Sequence, residues 1–167
     1  NPRLTGAIKV IKTIKHKSAV GGSRPHAGVD FTVNGVTKTT DVNGEACFDG
    51  LLLSGFAGVG DYAVTEIVPA GANYVPEGNT TKQVTVDNVA KCNDSPYVGE
   101  TVNFVNLPLT DITIIVDSLI DGATQTNIKC TNSGGTATNT DDTGFDFSVS
   151  LPKRAPGVYT CIIDVDP

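Results

Sequence analysis

Residues 31–44 read FTVNGVTKTTDVNG and contain two Asn-Gly pairs, Asn34-Gly35 and Asn43-Gly44, flanked by short alternating apolar runs. Asn-Gly between such runs is the strongest short-range signal for a β-hairpin. Outside this stretch, β-branched and aromatic residues recur in short runs, and no window has the periodicity of an amphipathic helix. Further runs lie at residues 7–13, 28–33, 46–48, 62–67, 82–86 and 101–106. About seven to nine short strands in roughly 106 residues predict an all-β sandwich.

The composition favours the same architecture and argues against several functions. The chain has 18 Gly and 9 Pro but no Met or Trp, so a core must consist of Val, Ile, Leu and a few Phe and Tyr. A net charge of −6 without a basic face argues against a nucleic-acid partner. No run approaches the roughly 18 apolar residues of a membrane span. No nucleophile–base pair or metal-ligand set is visible, so we predict a protein that is not an enzyme and binds no cofactor or metal.

The cysteines indicate disulfides and an oxidising compartment, hence a secreted or cell-surface protein. They are four, widely spaced, with no Cys-x-x-Cys pair: Cys47, Cys92, Cys130 and Cys161. Four cysteines allow three pairings. We expect Cys47–Cys92 and Cys130–Cys161, because each bond then stays within one predicted module. Each would add roughly 3–4 kcal/mol in the chain-entropy model.

Leu107-Pro108-Leu109 marks a predicted boundary between two modules in tandem, residues 1–107 and 108–167. Faint repeats relate the two, such as Gly60-x-Tyr62 and Gly157-x-Tyr159. The second module is shorter and has no counterpart of the runs 82–86 and 101–106, which leaves a sheet edge unpaired. It is a smaller domain closed by its disulfide, a piece of a longer protein, or a sheet completed by a strand from a neighbouring molecule.

Three polar residues interrupt the alternation in the same way. Lys12, Glu66 and Asn106 each end an apolar run and share the parity of its inward-facing residues. Alternation in a β-strand therefore turns all three side chains toward the core. An isolated buried Lys or Glu costs several kcal/mol. Three groups of complementary chemistry, on the first, middle and last strands of one module, predict a buried cluster.

The first module resembles a known family through an ordered set of segments. They are IKVIKT (8–13), AGVDFTV (27–33), TTDVNG (39–44), GDYAVTE (60–66) followed by PAG (69–71), and VNFVN (102–106). Together they are similar to the collagen-adhesin B-type (Cna-B) domains, prealbumin-like sandwiches of Gram-positive pilins and surface adhesins, over residues 5–107. The resemblance implies an intramolecular isopeptide bond between Lys12 and Asn106, formed autocatalytically with Glu66 as the catalyst.

The chemistry of the three residues agrees with that implication. A Lys amine attacks a carboxamide only when it is neutral, and burial lowers its pKa toward that state. Glu66 in its protonated form would polarise the Asn106 carbonyl and shuttle protons as ammonia leaves. The alternatives are an unreacted Lys–Glu pair with Asn106 as a neighbour, and a cluster from which one of the three side chains faces away. Val116 and Ile163 take the places of Lys12 and Glu66 in the second module, which predicts a disulfide there instead of an isopeptide.

These expectations favour an extracellular structural module of a pilus, stalk or filament. Its partners would be neighbouring copies of itself or other surface-protein domains. The alternative is an adhesin module that binds a host or matrix ligand through its loops, for which the long segments 15–28 and 68–82 are the candidates.

Overall fold

The computed structural model of the chain describes residues 3–16, 22–117, 125–132, 135–141 and 146–166. These belong to two compact units, Asn1–Pro108 and Leu109–Pro167. Strands joined by turns and short 3-10 segments make up the described part, which contains no α-helix. The predicted all-β class is therefore confirmed. It stays a prediction that the two modules are related to each other. It also stays a prediction that a neighbouring molecule donates a strand to the second module.

The first unit consists of two sheets that face each other. Its strands are β1 (Thr5–Lys15), β2 (Ser23–Pro25), β3 (Asp30–Val33), β4 (Val36–Thr39), β5 (Glu45–Leu52), β6 (Tyr62–Ile67), β7 (Tyr74–Glu77), β8 (Thr81–Val84) and β9 (Glu100–Pro108). In one sheet, β1 pairs in parallel with β9 along one edge, and β9 pairs antiparallel with β7. Along its other edge, β1 pairs antiparallel with β5 and β2. The second sheet has the antiparallel order β4-β3-β6-β8.

The core of this unit lies between the two sheets because apolar residues alternate along the strands of both. Its buried members are Ile8, Val10, Val29, Phe31, Val33, Ala46, Phe48, Leu51, Tyr62, Val64, Val84, Val86, Val102 and Phe104. Each polar residue of the predicted cluster follows a pair of these inward residues on its strand. The core therefore positions the site directly.

The two Asn-Gly turns have different roles. Asn34 and Gly35 have φ values of 48° and 77°, and they close the β3–β4 hairpin with Val33 opposite Val36. Positive φ at both central residues is the requirement of a type I′ turn. The second turn connects β4 in one sheet to β5 in the other, so it is a crossing between sheets and not a hairpin. There, the Asp41 carboxylate accepts hydrogen bonds from the backbone N–H groups of Asn43 and Glu45.

Two short strands lie where the sequence predicted long loops. β2 falls within residues 15–28 and β7 within residues 68–82, and they pair with β1 and β9. Each contains a proline, Pro25 or Pro76, and each is at the end of its sheet. Proline is tolerated at an edge because the outer side of an edge strand has no ladder to complete. The prediction of free loops at these segments was therefore wrong for the paired residues.

The second unit contains β10 (Thr110–Asp117), β11 (Gln125–Asn132), β12 (Gly135–Asp141), β13 (Asp146–Arg154) and β14 (Thr160–Asp166). β10 pairs with β13, and β11 lies between β12 and β14. Side chains from both sheets form a small core of Ile128, Cys130, Val149 and Leu151. Val116 packs against this core, whereas Ile163 is 44% exposed.

The turn at Gly44 gives a test of the fold. Gly44 has a φ of 74°, and a Cβ at this position would clash with the backbone oxygen of Lys12. Gly35 also has a positive φ, 77°, but a Cβ there would meet nothing within 4 Å. We expect Gly35→Ala to lower the free energy of unfolding by about 1–2 kcal/mol through backbone strain alone. Gly44→Ala adds a displacement of the β1 backbone and should cost about 3 kcal/mol or more.

Denaturant unfolding of the two variants, followed by far-ultraviolet circular dichroism, measures this difference. Equal losses of stability in the two variants would show that Gly44 does not pack against Lys12.

Candidate functional site

The three polar residues predicted from alternation meet inside the first unit. Lys12 on β1 and Asn106 on β9 belong to one sheet, and the parallel register places Lys12 opposite Phe104 and two residues from the level of Asn106. Glu66 on β6 reaches them from the facing sheet. Lys12 and Asn106 are 0% exposed and Glu66 is 4% exposed. The cluster therefore connects both sheets across the middle of the sandwich.

The contacts form a closed triangle. The Lys12 ammonium nitrogen Nζ donates to Asn106 Oδ1 at 2.6 Å and to Glu66 Oε2 at 2.9 Å. The Asn106 amide nitrogen Nδ2 donates to Glu66 Oε1 at 2.8 Å. Each oxygen of the Glu66 carboxylate thus contacts a different nitrogen, one on the amine and one on the amide. The charge of Glu66 is compensated by Lys12 within the cluster.

Two aromatic rings enclose this triangle. Phe31 and Phe104 pack against each other with ring centroids 4.9 Å apart, and Lys12 Nζ lies 6.0 Å and 5.9 Å from them. Burial among these side chains lowers the pKa of Lys12 from 10.5, because a charged amine is poorly stabilised away from water. The hydrogen bond and the charge of Glu66 oppose this lowering, and the charge of Lys82 adds to it.

The backbone of Lys12 is also held from two sides. Its N–H donates to the carbonyl of Gly44 at 2.7 Å, and its carbonyl accepts from the N–H of His26 at 3.0 Å. The carbonyl of His26 in turn accepts a hydrogen bond from the buried hydroxyl of Thr40 at 2.7 Å. These bonds fix the end of β1 at the level of the amine, so the reactive side chain starts from a defined position.

His26 is a member of the site that the sequence did not reveal. Its imidazole Nδ1 lies 3.3 Å from Asn106 Nδ2, and its ring packs edge to face on Tyr74 with centroids 4.7 Å apart. Burial lowers the pKa of His26 from 6.5, and the charge of Lys12 lowers it further. The residue lies between strands, where no alternation indicates the direction of a side chain. Its role is indicated only by its position next to Lys12 and Asn106 in the folded chain, and the sequence does not show that proximity.

Both predicted disulfides are confirmed. Cys47 on β5 is bonded to Cys92, with an S–S distance of 2.07 Å, and Cys130 on β11 is bonded to Cys161 on β14. Cys130 and Cys161 are directly opposite each other in the ladder. Within the described ranges, no cluster of His, Cys, Asp or Glu side chains is arranged to hold a metal ion. The same part of the chain contains no helix long and apolar enough to span a membrane.

The chemical capacity of the cluster follows from its contacts. An amine, a carboxamide and a carboxylate lie at hydrogen-bonding distance from one another in a site without solvent exposure. An amine is a nucleophile when neutral, a carboxamide can act as an acyl donor, and the carboxylate contacts the nitrogens of both groups. Fixed proximity of this kind removes much of the entropic barrier to a reaction between them.

No family model and no curated protein matches the sequence. Among solved structures, the chain is similar to a streptococcal ancillary pilin, with 18% identity and a TM-score of 0.44 over 95% of this chain and 59% of that chain. It is also similar to BcpA, the major pilin subunit of Bacillus cereus, with 16% identity and a TM-score of 0.49 over 95% of this chain and 58% of that one.

A third similar structure is that of two B repeat units of the collagen-binding protein of Staphylococcus aureus. It has 16% identity and a TM-score of 0.40, over 96% of this chain and 45% of that chain. The sequence resemblance also named pilins and collagen-adhesin B-type domains. The chain spans less than two thirds of each. At these identities and TM-scores the likeness does not bear on function.

The lowered pKa of Lys12 predicts how stability depends on pH when the amine cannot react. Asn106→Leu removes the carboxamide and leaves the amine free. In the unfolded chain Lys12 is protonated up to its ordinary pKa of 10.5, whereas in the folded chain it loses its proton at lower pH. The unfolded state then binds more protons between the two values, so the free energy of unfolding rises with pH over that window.

Denaturant titrations of Asn106→Leu at several pH values between 7 and 10 measure the rise. The double variant Lys12→Met/Asn106→Leu is the matched control, and its free energy of unfolding should rise less over the same range. Parallel pH curves for the two variants would contradict a lowered pKa of Lys12.

Proposed function

We propose that the first unit is a tension-bearing module of an extracellular filament, pilus or stalk, and that it matures by forming an isopeptide bond between Lys12 and Asn106. The observation that carries the proposal is the closed triangle of Lys12, Glu66 and Asn106 in a solvent-free core. An ion pair that does not react has no need of a carboxamide that is hydrogen-bonded to both of its members. A transamidation requires all three groups in this arrangement.

The reaction is an amide exchange within one chain. The neutral Lys12 amine attacks the Asn106 carbonyl carbon Cγ, and Glu66 Oε2 accepts a proton from the amine. Glu66 Oε1, which contacts Asn106 Nδ2, returns a proton to the departing nitrogen. The C–N bond of the carboxamide breaks, ammonia leaves, and a new amide joins Lys12 Nζ to Asn106 Cγ. The contacts of Glu66 with both nitrogens support proton transfer as its role, since Asn106 Oδ1 faces Lys12 instead.

The position of the bond supports a mechanical purpose. β1 and β9 are parallel neighbours, so a pull on the two ends of the unit shears one strand along the other. A Lys12–Asn106 bond would carry this force from β1 directly to β9. Residues 13–105 would then lie outside the path of the force. The unit would stay folded at forces that break hydrogen bonds, because only a covalent bond is loaded.

The disulfides support an extracellular location, since such bonds persist in oxidising compartments. Cys47–Cys92 lies within residues 13–105 and ties β5 to the segment that precedes β9. In the proposed function the partners are neighbouring copies of this chain or other domains of surface proteins. The protein is a structural element, since the reaction occurs once per chain and has no turnover.

The mass of the intact chain tests the isopeptide. We expect the purified protein to be lighter than its sequence by one ammonia molecule and by two hydrogen atoms for each disulfide. Glu66→Gln and Asn106→Ala should both show no loss of ammonia relative to the mass of their own sequences, the first because proton transfer is lost and the second because the acyl donor is absent. Peptide mapping should find residues 12 and 106 in one branched fragment. A wild-type chain with no loss of ammonia would refute the cross-link.

Single-molecule stretching tests the mechanical role. With the disulfides reduced, Glu66→Gln should release residues 13–105 on unfolding and extend by roughly 300 Å more than the wild type, at about 3.3–3.6 Å per residue. Wild-type molecules should show no such step from the first unit. Circular dichroism establishes beforehand that the Glu66→Gln chain is folded. A step of that length in wild-type molecules would contradict the proposed path of the force.

A further inference from the structure

We propose that His26 is a second catalytic residue of the cross-linking reaction, acting in its neutral form on the departing nitrogen of Asn106. This inference rests on the proposed isopeptide and extends it. Asn106 Nδ2 has two N–H groups, and it contacts two acceptors, Glu66 Oε1 at 2.8 Å and His26 Nδ1 at 3.3 Å. The nitrogen that leaves as ammonia therefore contacts the imidazole before the reaction starts.

The contact assigns a tautomer to His26. Both hydrogens of the Asn106 amide nitrogen are donated, one to Glu66 and one to His26, so Nδ1 of His26 is the acceptor and the ring proton is on Nε2. The pair of acceptors also fixes the orientation of the carboxamide. Its nitrogen side faces Glu66 and His26, and its oxygen side faces the donor Lys12 Nζ. His26 thus keeps the acyl group turned toward its nucleophile.

The ring of His26 is held in place by its surroundings. Tyr74 on β7 packs nearly perpendicular to the ring, and the backbone of His26 is hydrogen-bonded to Lys12 on one side and to Thr40 on the other. A shift of the histidine would therefore also disturb the reacting lysine. Contacts with Tyr74, Lys12 and Thr40 therefore fix the position of His26. A group that acts on a single atom must be held in this way.

His26 also lies on the way out of the core. The three members of the triangle are at most 4% exposed, whereas His26 is half-buried and reaches solvent. His26 accepts a hydrogen bond from the departing nitrogen and ends the reaction in its starting form. The balance of amine plus carboxamide to substituted amide plus ammonia is unchanged.

Protonation of His26 would reverse its effect. An imidazolium has no acceptor at Nδ1, and its N–H would face the N–H of Asn106, which favours a rotated carboxamide with the oxygen toward His26. The charged and titratable groups around the ring are Lys12 on β1, Arg24 on β2, Glu66 on β6 and Tyr74 on β7. Burial and the charges of Lys12 and Arg24 lower the pKa of His26, and Glu66 opposes them. His26 is therefore neutral at physiological pH and loses its function on acidification.

The test follows the reaction in the full-length chain. Protein recovered unfolded in urea is first shown by mass to retain its ammonia, and is then diluted into an oxidising buffer. Samples quenched over time give the rate of ammonia loss by mass, and far-ultraviolet circular dichroism gives the rate of folding. Two variants are compared with the wild type. His26→Phe keeps a ring against Tyr74 without an acceptor, and His26→Asn supplies an oxygen near the position of Nδ1 that does not titrate.

We expect His26→Phe to fold and to lose ammonia about tenfold more slowly than the wild type, the factor for one hydrogen bond of ordinary strength. His26→Asn should react at a rate closer to the wild type at neutral pH. Its rate should also fall less steeply than that of the wild type as the pH drops below 6.5, since the titrating acceptor is gone. A structural role alone would not change the shape of this pH profile.

The outcomes separate the two proposals. If the wild type loses ammonia and His26→Phe does so at the same rate, or if His26→Asn keeps the wild-type pH profile, the role of His26 is refuted and the cross-link stands. If His26→Phe does not fold, the pH profile of His26→Asn decides alone. A wild-type chain that never loses ammonia refutes the cross-link and the role of His26 together.

Discussion

The burial of one amine determines the chemistry of the first unit. Lys12 is fully enclosed between two sheets, and an unpaired charge in such a place costs several kcal/mol. The ion pair with Glu66 offsets part of this cost, but a buried pair must still be taken out of water. A neutral amine would relieve the cost at the amine, and a secondary amide would remove it permanently. The desolvation that destabilises the charged lysine is thus the same effect that makes it a nucleophile, and the proposed product relieves it.

The proposed reaction depends on the complete fold, because its three groups are far apart in the sequence. Lys12 is separated from Asn106 by 94 positions and from Glu66 by 54. They meet only when β1 has paired with β9 and the second sheet has closed over both. Contacts of such long range form slowly, since the entropy of closing the loop must first be overcome. A cross-link made here would therefore form only in chains that have folded, and would fix that state.

The sequence predicts the parts of this architecture that follow from strictly local rules. Side chains alternate within a strand, so the parity of Lys12, Glu66 and Asn106 sufficed to place all three in the core. The positive φ that Asn and Gly tolerate sufficed for the β3–β4 hairpin. The disulfides followed from keeping each pair within a module, and the structure has that pairing.

What the sequence did not predict depends on contacts between distant segments. β2 and β7 are short and contain proline, and only their positions at the edges of a sheet make them strands. The second Asn-Gly pair has the composition of a hairpin, but β5 is drawn to the other sheet by its pairing with β1. His26 lies 80 positions from Asn106 in a segment without periodicity. No local rule gives the direction of its ring, so its contact with the amide appears only in the folded chain.

The two units would respond differently to tension because their covalent bonds lie at different points along the chain. In the first unit, the proposed bond joins a residue of the first strand to one of the last, and almost the whole unit lies outside the path of the force. In the second unit, Cys130–Cys161 joins β11 to β14, so a pull on its ends loads residues 109–130 before it reaches the disulfide. β10 lies in this segment and is held to β13 by hydrogen bonds. A force that leaves the first unit intact would therefore extend the β10 segment, which makes the second unit the compliant element of the pair.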